Sequence, residues 1–108
     1  MKFAVLISAE AETDLDAIVS FVAIRDPVAA DKIEARVVTL IESLEKSPNR
    51  GRVVPELARS GVVTYRELIS EPWRVMYRIE ARNVRVVAVV DGRRNIDELL
   101  SERTRRSF

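Results

Sequence analysis

Apolar residues along the chain follow two different periods. At the N-terminus Phe3, Val5 and Ile7 alternate with Lys2, Ala4 and Leu6, the period of two that sends successive strand side chains to opposite faces. Ser8 can cap a helix, and Glu10, Glu12 and Asp14 sit where the helix dipole favours negative charge. Leu15, Ile18, Val19 and Val22 then recur at i, i+3, i+4 and i+7, the stripe of an amphipathic helix. "RDP" stops it. Asp26 caps a second helix, and Pro27 takes the first position, which needs no N–H. Ala30, Ile33, Val37, Leu40, Ile41 and Leu44 carry a second stripe to about Lys46, where "SPNRG" ends it. The link between the stripes is very short, so the two helices are expected to form an antiparallel hairpin.

The period then returns to two. After an irregular stretch, Arg52 to Ser60, strands are predicted at Val62–Ile69, Trp73–Ile79 and Val84–Val90, with turns at Glu71-Pro72 and Ala81-Arg82-Asn83. Short links make them antiparallel neighbours. Asn95, with Glu98 three residues on, opens a final short helix, and the charged end "SERTRRSF" is expected to fray. The order β-α-α-β-β-β-α predicts an α+β fold. An N-terminal strand precedes a helical hairpin packed on a small twisted antiparallel sheet. At 108 residues the chain suits a single domain, 1–108.

The second and third strands raise a question about charge. Alternation puts Trp73, Val75, Tyr77 and Ile79 under the hairpin, and Arg74, Met76 and Arg78 on the opposite face, where Arg66 can join them. Val86 to Val90 has no polar face, which implies cover on both sides. The hairpin supplies one cover. Little chain is left for the other beyond Asn95 to Phe108, so a partner could complete it. Two readings stand for the arginines. Arg74 and Arg78 either pair with Glu67, Glu71 or Glu80, or present charge to a partner. Arg93 and Arg94, past the Asp91-Gly92 turn, are either a solvated loop pair or part of an anion site with Arg74 and Arg78.

Composition narrows the chemistry. There is no cysteine and no histidine, which excludes disulfides, thiolate catalysis, Cys and His metal ligands and the usual general base near neutral pH. Three glycines leave no Gly-rich phosphate loop. Tyr65 and Tyr77 read as core or interface residues. No catalytic constellation, metal site or cofactor site is expected. The N-terminal apolar run is too short for a signal-peptide core or a bilayer span, so a cytoplasmic location without membrane contact is expected. Net charge is +1 but unevenly placed. Met1 to Ser47 carries five basic residues against nine acids, and Pro48 to Phe108 thirteen arginines against eight acids. An acidic and a basic face follow.

The pieces "AETDLDAIVSFVA", "DPVAADKIEARVVTLIESLEKSPNRGRVVPEL", "YREL", "WRVMYRI" and "VVAVVDGRRN", in this order and spacing, resemble the ParE/RelE superfamily of toxins from bacterial type II toxin–antitoxin modules. The resemblance covers almost the whole chain and implies the fold predicted above. It also implies a cognate, ParD-like antitoxin whose disordered C-terminal segment folds on the toxin, and it makes the arginine-lined face a docking surface. The RelE branch cleaves mRNA in the ribosomal A site. The ParE branch poisons DNA gyrase without hydrolysis of its own. The RelE-type arginines match Arg74 and Arg94, but the catalytic tyrosine falls at about Leu100, and Asp91 stands where a histidine often precedes the "GRR" pair. The helical hairpin, "SPNRGRVVPEL" and "YREL" are more similar to ParE. The expected function is therefore gyrase inhibition, with a RelE-like endoribonuclease as the alternative. Arg66, Arg74, Arg78, Arg93 and Arg94 are the expected target- or antitoxin-binding residues, and no sequence-specific DNA binding is expected.

Overall fold

Ser8 joins the first strand to the first helix, as its sequence position predicts. Its side chain accepts from the Ala11 N–H at 3.1 Å and caps α1, Ala9–Ala23. Strand β1, Ala4–Ile7, ends immediately before it. Asp26 caps α2, Pro27–Ser43, by accepting from the Ala29 N–H at 3.0 Å, with Pro27 in the first turn. The helix closes at Ser43, three residues short of the expected Lys46. The structure, a computed structural model, describes residues 2–106.

The remaining elements are β2 (Arg52–Val53), α3 (Pro55–Ala58), β3 (Tyr65–Ser70), β4 (Trp73–Glu80), β5 (Asn83–Asp91) and α4 (Ile96–Arg106). The stretch expected to be irregular thus holds a two-residue strand and one helical turn. The five strands form one sheet in the order β1-β5-β4-β3-β2. Four of them pair antiparallel. The exception is β1, which lies parallel to β5 with Ala4 opposite Asn83 and Ile7 opposite Val86. The hairpin carries the chain from β1 to β2 at the opposite edge of the sheet. β5 comes to lie beside β1 only after β2, β3 and β4, the long connection that a parallel neighbour requires.

Two cores sandwich the sheet. On one face Ala11, Val37, Ile41 and Leu44 of the hairpin region meet Leu68, Val75, Tyr77, Val84, Val86 and Val89. On the other, Val54, Leu57, Ile96 and Leu100 meet Tyr65, Met76, Val87, Ala88 and Val90. Each valine or leucine fully buried here contributes about 1.5–3 kcal/mol. The second core corrects the sequence expectation: β5 is covered on both faces by its own chain, through α3 and α4. As far as Arg106 the charged tail is also more ordered than expected, while Ser107 and Phe108 lie outside the described residues. Helix α4 runs to Arg106, and Arg103 is buried.

The phase of β5 changes within the strand. Met76 pairs with Ala88 but Tyr77 with Val86, so Val87 is an extra residue, a β-bulge. Strict alternation would put Val86 and Ala88 on one face. Instead Val84, Val86 and Val89 join the hairpin core, while Val87, Ala88 and Val90 join the other. The edge of β5 beyond Val86 has no strand beside it, because β1 ends there. Two side chains take its backbone groups: Asp14 accepts from the Val89 N–H at 3.0 Å, and Arg103 donates to the Val87 carbonyl at 3.2 Å. The same two side chains pair with each other, and Arg103 also meets Glu10 at 3.1 Å. Asp14, expected as a dipole group, is a tie between α1, β5 and α4. Burial pushes its carboxyl above the usual range, against the pull of Val89 and Arg103.

Candidate functional site

Side-chain alternation along β4 is preserved, so Arg74 does point away from the hairpin. What it meets there differs from the expectation of an exposed charge. Arg74 is 7% exposed. Its two terminal nitrogens grip both oxygens of Glu56 at 2.7 and 2.8 Å, and its Nε donates to Glu67 at 2.6 Å. Glu67 is 1% exposed, and its second oxygen takes Arg52 Nε at 2.7 Å. The result is a chain of charges, Glu56–Arg74–Glu67–Arg52, that links α3 to β4, β3 and β2. The forked pair is the strongest geometry available to a guanidinium. Hydrogen bonding to Arg74 holds the Glu56 carboxyl down at about 2, and its two carboxylates raise the Arg74 pKa further above its ordinary value.

Gly92 explains how the turn after β5 fits over this arginine. A Cβ at Gly92 would stand 3.1 Å from Arg74 Cδ and 3.0 Å from the Pro72 carbonyl oxygen. Glycine lets the loop close on the Arg74 stem, and the Gly92 N–H donates to Pro72 O at 2.7 Å.

The other expected site residues scatter. Arg66 pairs across the sheet with Tyr77, on the hairpin face, and donates to the Gly51 carbonyl at 2.8 Å. It therefore does not join Arg74, because β3 meets β4 with Tyr65, not Arg66, opposite Arg78. Arg78 pairs with Glu80 at 2.6 Å, donates to the Tyr65 hydroxyl at 2.9 Å and lies over its ring. Arg93 pairs with Asp91 at 2.8 Å and lies 5.9 Å over the Trp73 ring. Arg94 is exposed at the same turn. The four arginines do not converge on one anion site, and the pairing with Glu67 and Glu80 noted in the sequence is what Arg74 and Arg78 adopt.

Proton-transfer groups are equally constrained. Tyr77 is wholly buried; it donates to the Pro48 carbonyl at 2.7 Å and accepts from the Gly51 N–H at 3.0 Å, and burial raises its pKa. Leu100 is packed in the second core. No group of three or more potential metal ligands occurs among the described residues, and no helix there is long and apolar enough to cross a membrane. Sequence reasoning missed Glu56 and Arg52. The only signal for Glu56 was its place after Pro55 at a helix start, which says nothing of a partner 18 residues away.

A family model described as the ParE toxin of type II toxin–antitoxin systems (parDE) matches residues 5–96. Toxin RelE1 of Caulobacter vibrioides is 27% identical over 92 residues, covering 85% of this chain and 96% of that relative. Among solved structures, one described as a chromosomal ParDE toxin–antitoxin system from P. aeruginosa matches with a TM-score of 0.68 and 23% identity, over 82% of this chain and 95% of that one. One from the RelBE2 toxin–antitoxin complex of Mycobacterium tuberculosis matches with a TM-score of 0.59 and 21% identity, over 84% and 99%. At these identities the structural likeness is one of fold.

Proposed function

Because the chain belongs to the ParE toxin family of type II toxin–antitoxin systems, we propose that it arrests growth by poisoning DNA gyrase and is neutralised by a ParD-like antitoxin. The observation that carries this reading is the state of Arg74. An mRNA-cleaving toxin needs a cation free to hold the scissile phosphate and a group that moves the 2′-OH proton. Here the guanidinium at the matching strand position is already saturated by Glu56 and Glu67. A phosphate at that place would have to displace a forked carboxylate inside a buried network, against two negative charges. Histidine is absent, and the position of the expected catalytic tyrosine holds the buried Leu100. General acid–base groups contribute about 10²–10⁴-fold, so a nuclease built on this site would lack a large part of its rate.

A poison needs none of these. It has only to bind one state of the gyrase–DNA complex more tightly than the others. The antitoxin reading is supported by the solved relatives, which are described as toxin–antitoxin systems. It is also supported by apolar surface left open on this chain. Leu6 and Ile7 of β1, at the sheet edge, are about two-fifths exposed, and a cavity of about 380 Å³ lies between β1 and the hairpin, lined by Val5, Ile7, Leu15, Val38 and Ile41 together with the acids Glu12, Asp16, Glu42 and Glu45.

The second reading, a ribosome-dependent endoribonuclease, is favoured by the 27% identity to a toxin named RelE1 and by the exposed Arg94. Primer extension on translated messages, after the chain is expressed without antitoxin, separates the two. No codon-positioned cuts are expected. Cuts that disappear in Arg94→Ala would move the function to the ribosome.

A further inference from the structure

A second cavity, of about 350 Å³, opens between α2 and the β3–β4 turn. Its size is within the range of small-ligand sites, roughly 300–1,000 Å³. One wall is Lys32, Ile33 and Arg36 of α2, and the other is Ser70, Trp73 and Arg93. Lys32 and Arg36 are both exposed and stand one helical turn apart, on the same side of α2. Neither forms an ion pair with a described residue, so the two like charges are not offset within the fold. The facing wall carries one aromatic ring, Trp73. Trp73 is half-buried, and the Arg93 guanidinium lies over its ring, held by Asp91. Asp91 already neutralises Arg93, so that residue contributes surface more than charge. The one carboxylate in the lining, Glu71, is exposed and unpaired.

The geometry points to a binding site for single-stranded nucleic acid, with backbone phosphates on Lys32 and Arg36 and a base on the Trp73–Arg93 platform. A nucleic-acid strand carries both chemistries that the two walls offer, repeating charge and planar rings. Stacking on an aromatic side chain beside a basic groove is the general way proteins hold single strands without reading sequence. An acidic polypeptide would use the cations but leave the platform idle. A duplex keeps its bases stacked on one another and cannot offer one to Trp73. This site is distinct from the buried Arg74 network, and it does not rest on the gyrase reading.

Trp73 is the single tryptophan of the chain, so its fluorescence reports on the cavity directly. The antitoxin-free chain is titrated with a ten-nucleotide DNA strand, the same sequence as RNA, the corresponding DNA duplex, and poly-glutamate. A single strand is expected to shift or quench the Trp73 emission, and the tighter of the DNA and RNA arms names the class of strand. With two phosphates neutralised, log affinity should fall against log salt with a slope of about −1.4. Lys32→Ala/Arg36→Ala, which alters two exposed positions and should melt with the parent chain, is expected to bind at least tenfold more weakly. Unchanged emission, affinity retained in the double variant, a duplex that binds as well as a strand, or poly-glutamate that binds as tightly would each overturn the assignment. The last result would make the cavity a site for an acidic polypeptide.

Discussion

Removing the Arg74 side chain leaves Glu67 with the exposed Arg52 and Glu56 with the more distant Arg59 to offset them. Breaking a buried ion network by deleting one member costs about 3–5 kcal/mol, because the remaining charges stay desolvated. Arg74→Ala should therefore lower the denaturation midpoint severely in chemical unfolding. Any loss of toxicity in that variant reports folding, not contact with a target. The same network sets an acid limit. The Glu56 pKa is about 2 in the folded chain, against 4.5 as the ordinary value. A depressed carboxylate adds stability that is fully present above the ordinary pKa and is lost as pH falls through the folded one. Stability should thus decline by roughly 2–3 kcal/mol between pH 4.5 and pH 2 on account of this group. Glu56→Gln should flatten that part of the profile, as read by unfolding curves across the range. The sequence showed that Arg74 faces away from the hairpin and named Glu67 as a possible partner. It could not show Glu56, because a pairing between a one-turn helix and a strand leaves no periodic trace.

At the scale of elements, the caps and stripes of the hairpin were legible because they are local. Ser8, Asp26 and Pro27 act within one turn of their own position, and the apolar spacing of α1 and α2 follows from the helix repeat. The parallel placement of β1 was not legible, because strand order is fixed by packing between distant segments. Nor was the phase change in β5, since a run of valines reads the same in either phase; the bulge at Val87 is visible only from its pairing. The start of α4 at Asn95 was legible from its capping spacing. The charged stretch from Ser101 was expected to fray, yet one of its charges, Arg103, is the anchor of the helix. Arg103→Ala should remove the contacts to Val87, Asp14 and Glu10 and leave the Asp14 carboxylate half-buried beside Glu10. A loss of about 2–4 kcal/mol is expected, from an unsatisfied buried charge and a lost strand-edge bond. Hydrogen exchange should show α4 opening before the rest of the chain. A second element-scale test is Gly51→Ala. Its Cβ would stand 2.6 Å from the Tyr77 hydroxyl and 2.7 Å from the Glu67 carbonyl oxygen. Overpacking of this kind costs about 1–3 kcal/mol, so the melting temperature should fall.

Over the whole molecule, the unequal charge of the two halves resolves into several separate arrangements. Much of the arginine excess of the second half is bound internally, by Glu56, Glu67, Glu80, Asp91 and the α1 acids. Arg94 remains outward beside Arg93, and in the acidic first half Lys32 and Arg36 of α2 are exposed as well. The order of the pieces was enough to recognise the family, because order and spacing survive where no single motif is diagnostic. The site was less legible, since charge counts do not reveal which charges are already neutralised. Arg93→Ala/Arg94→Ala should leave the melting temperature nearly unchanged, as exposed pairs contribute only about 0.2–1 kcal/mol, while relieving growth arrest if this turn meets the target. Purified gyrase acting on supercoiled plasmid tests the central claim most directly. Gyrase is incubated with the antitoxin-free chain and the DNA is then released with detergent and protease. Linear plasmid is expected that depends on both gyrase and the chain and disappears when antitoxin is added first. Plasmid left uncut by gyrase, with a chain that still arrests growth in cells, would contradict it.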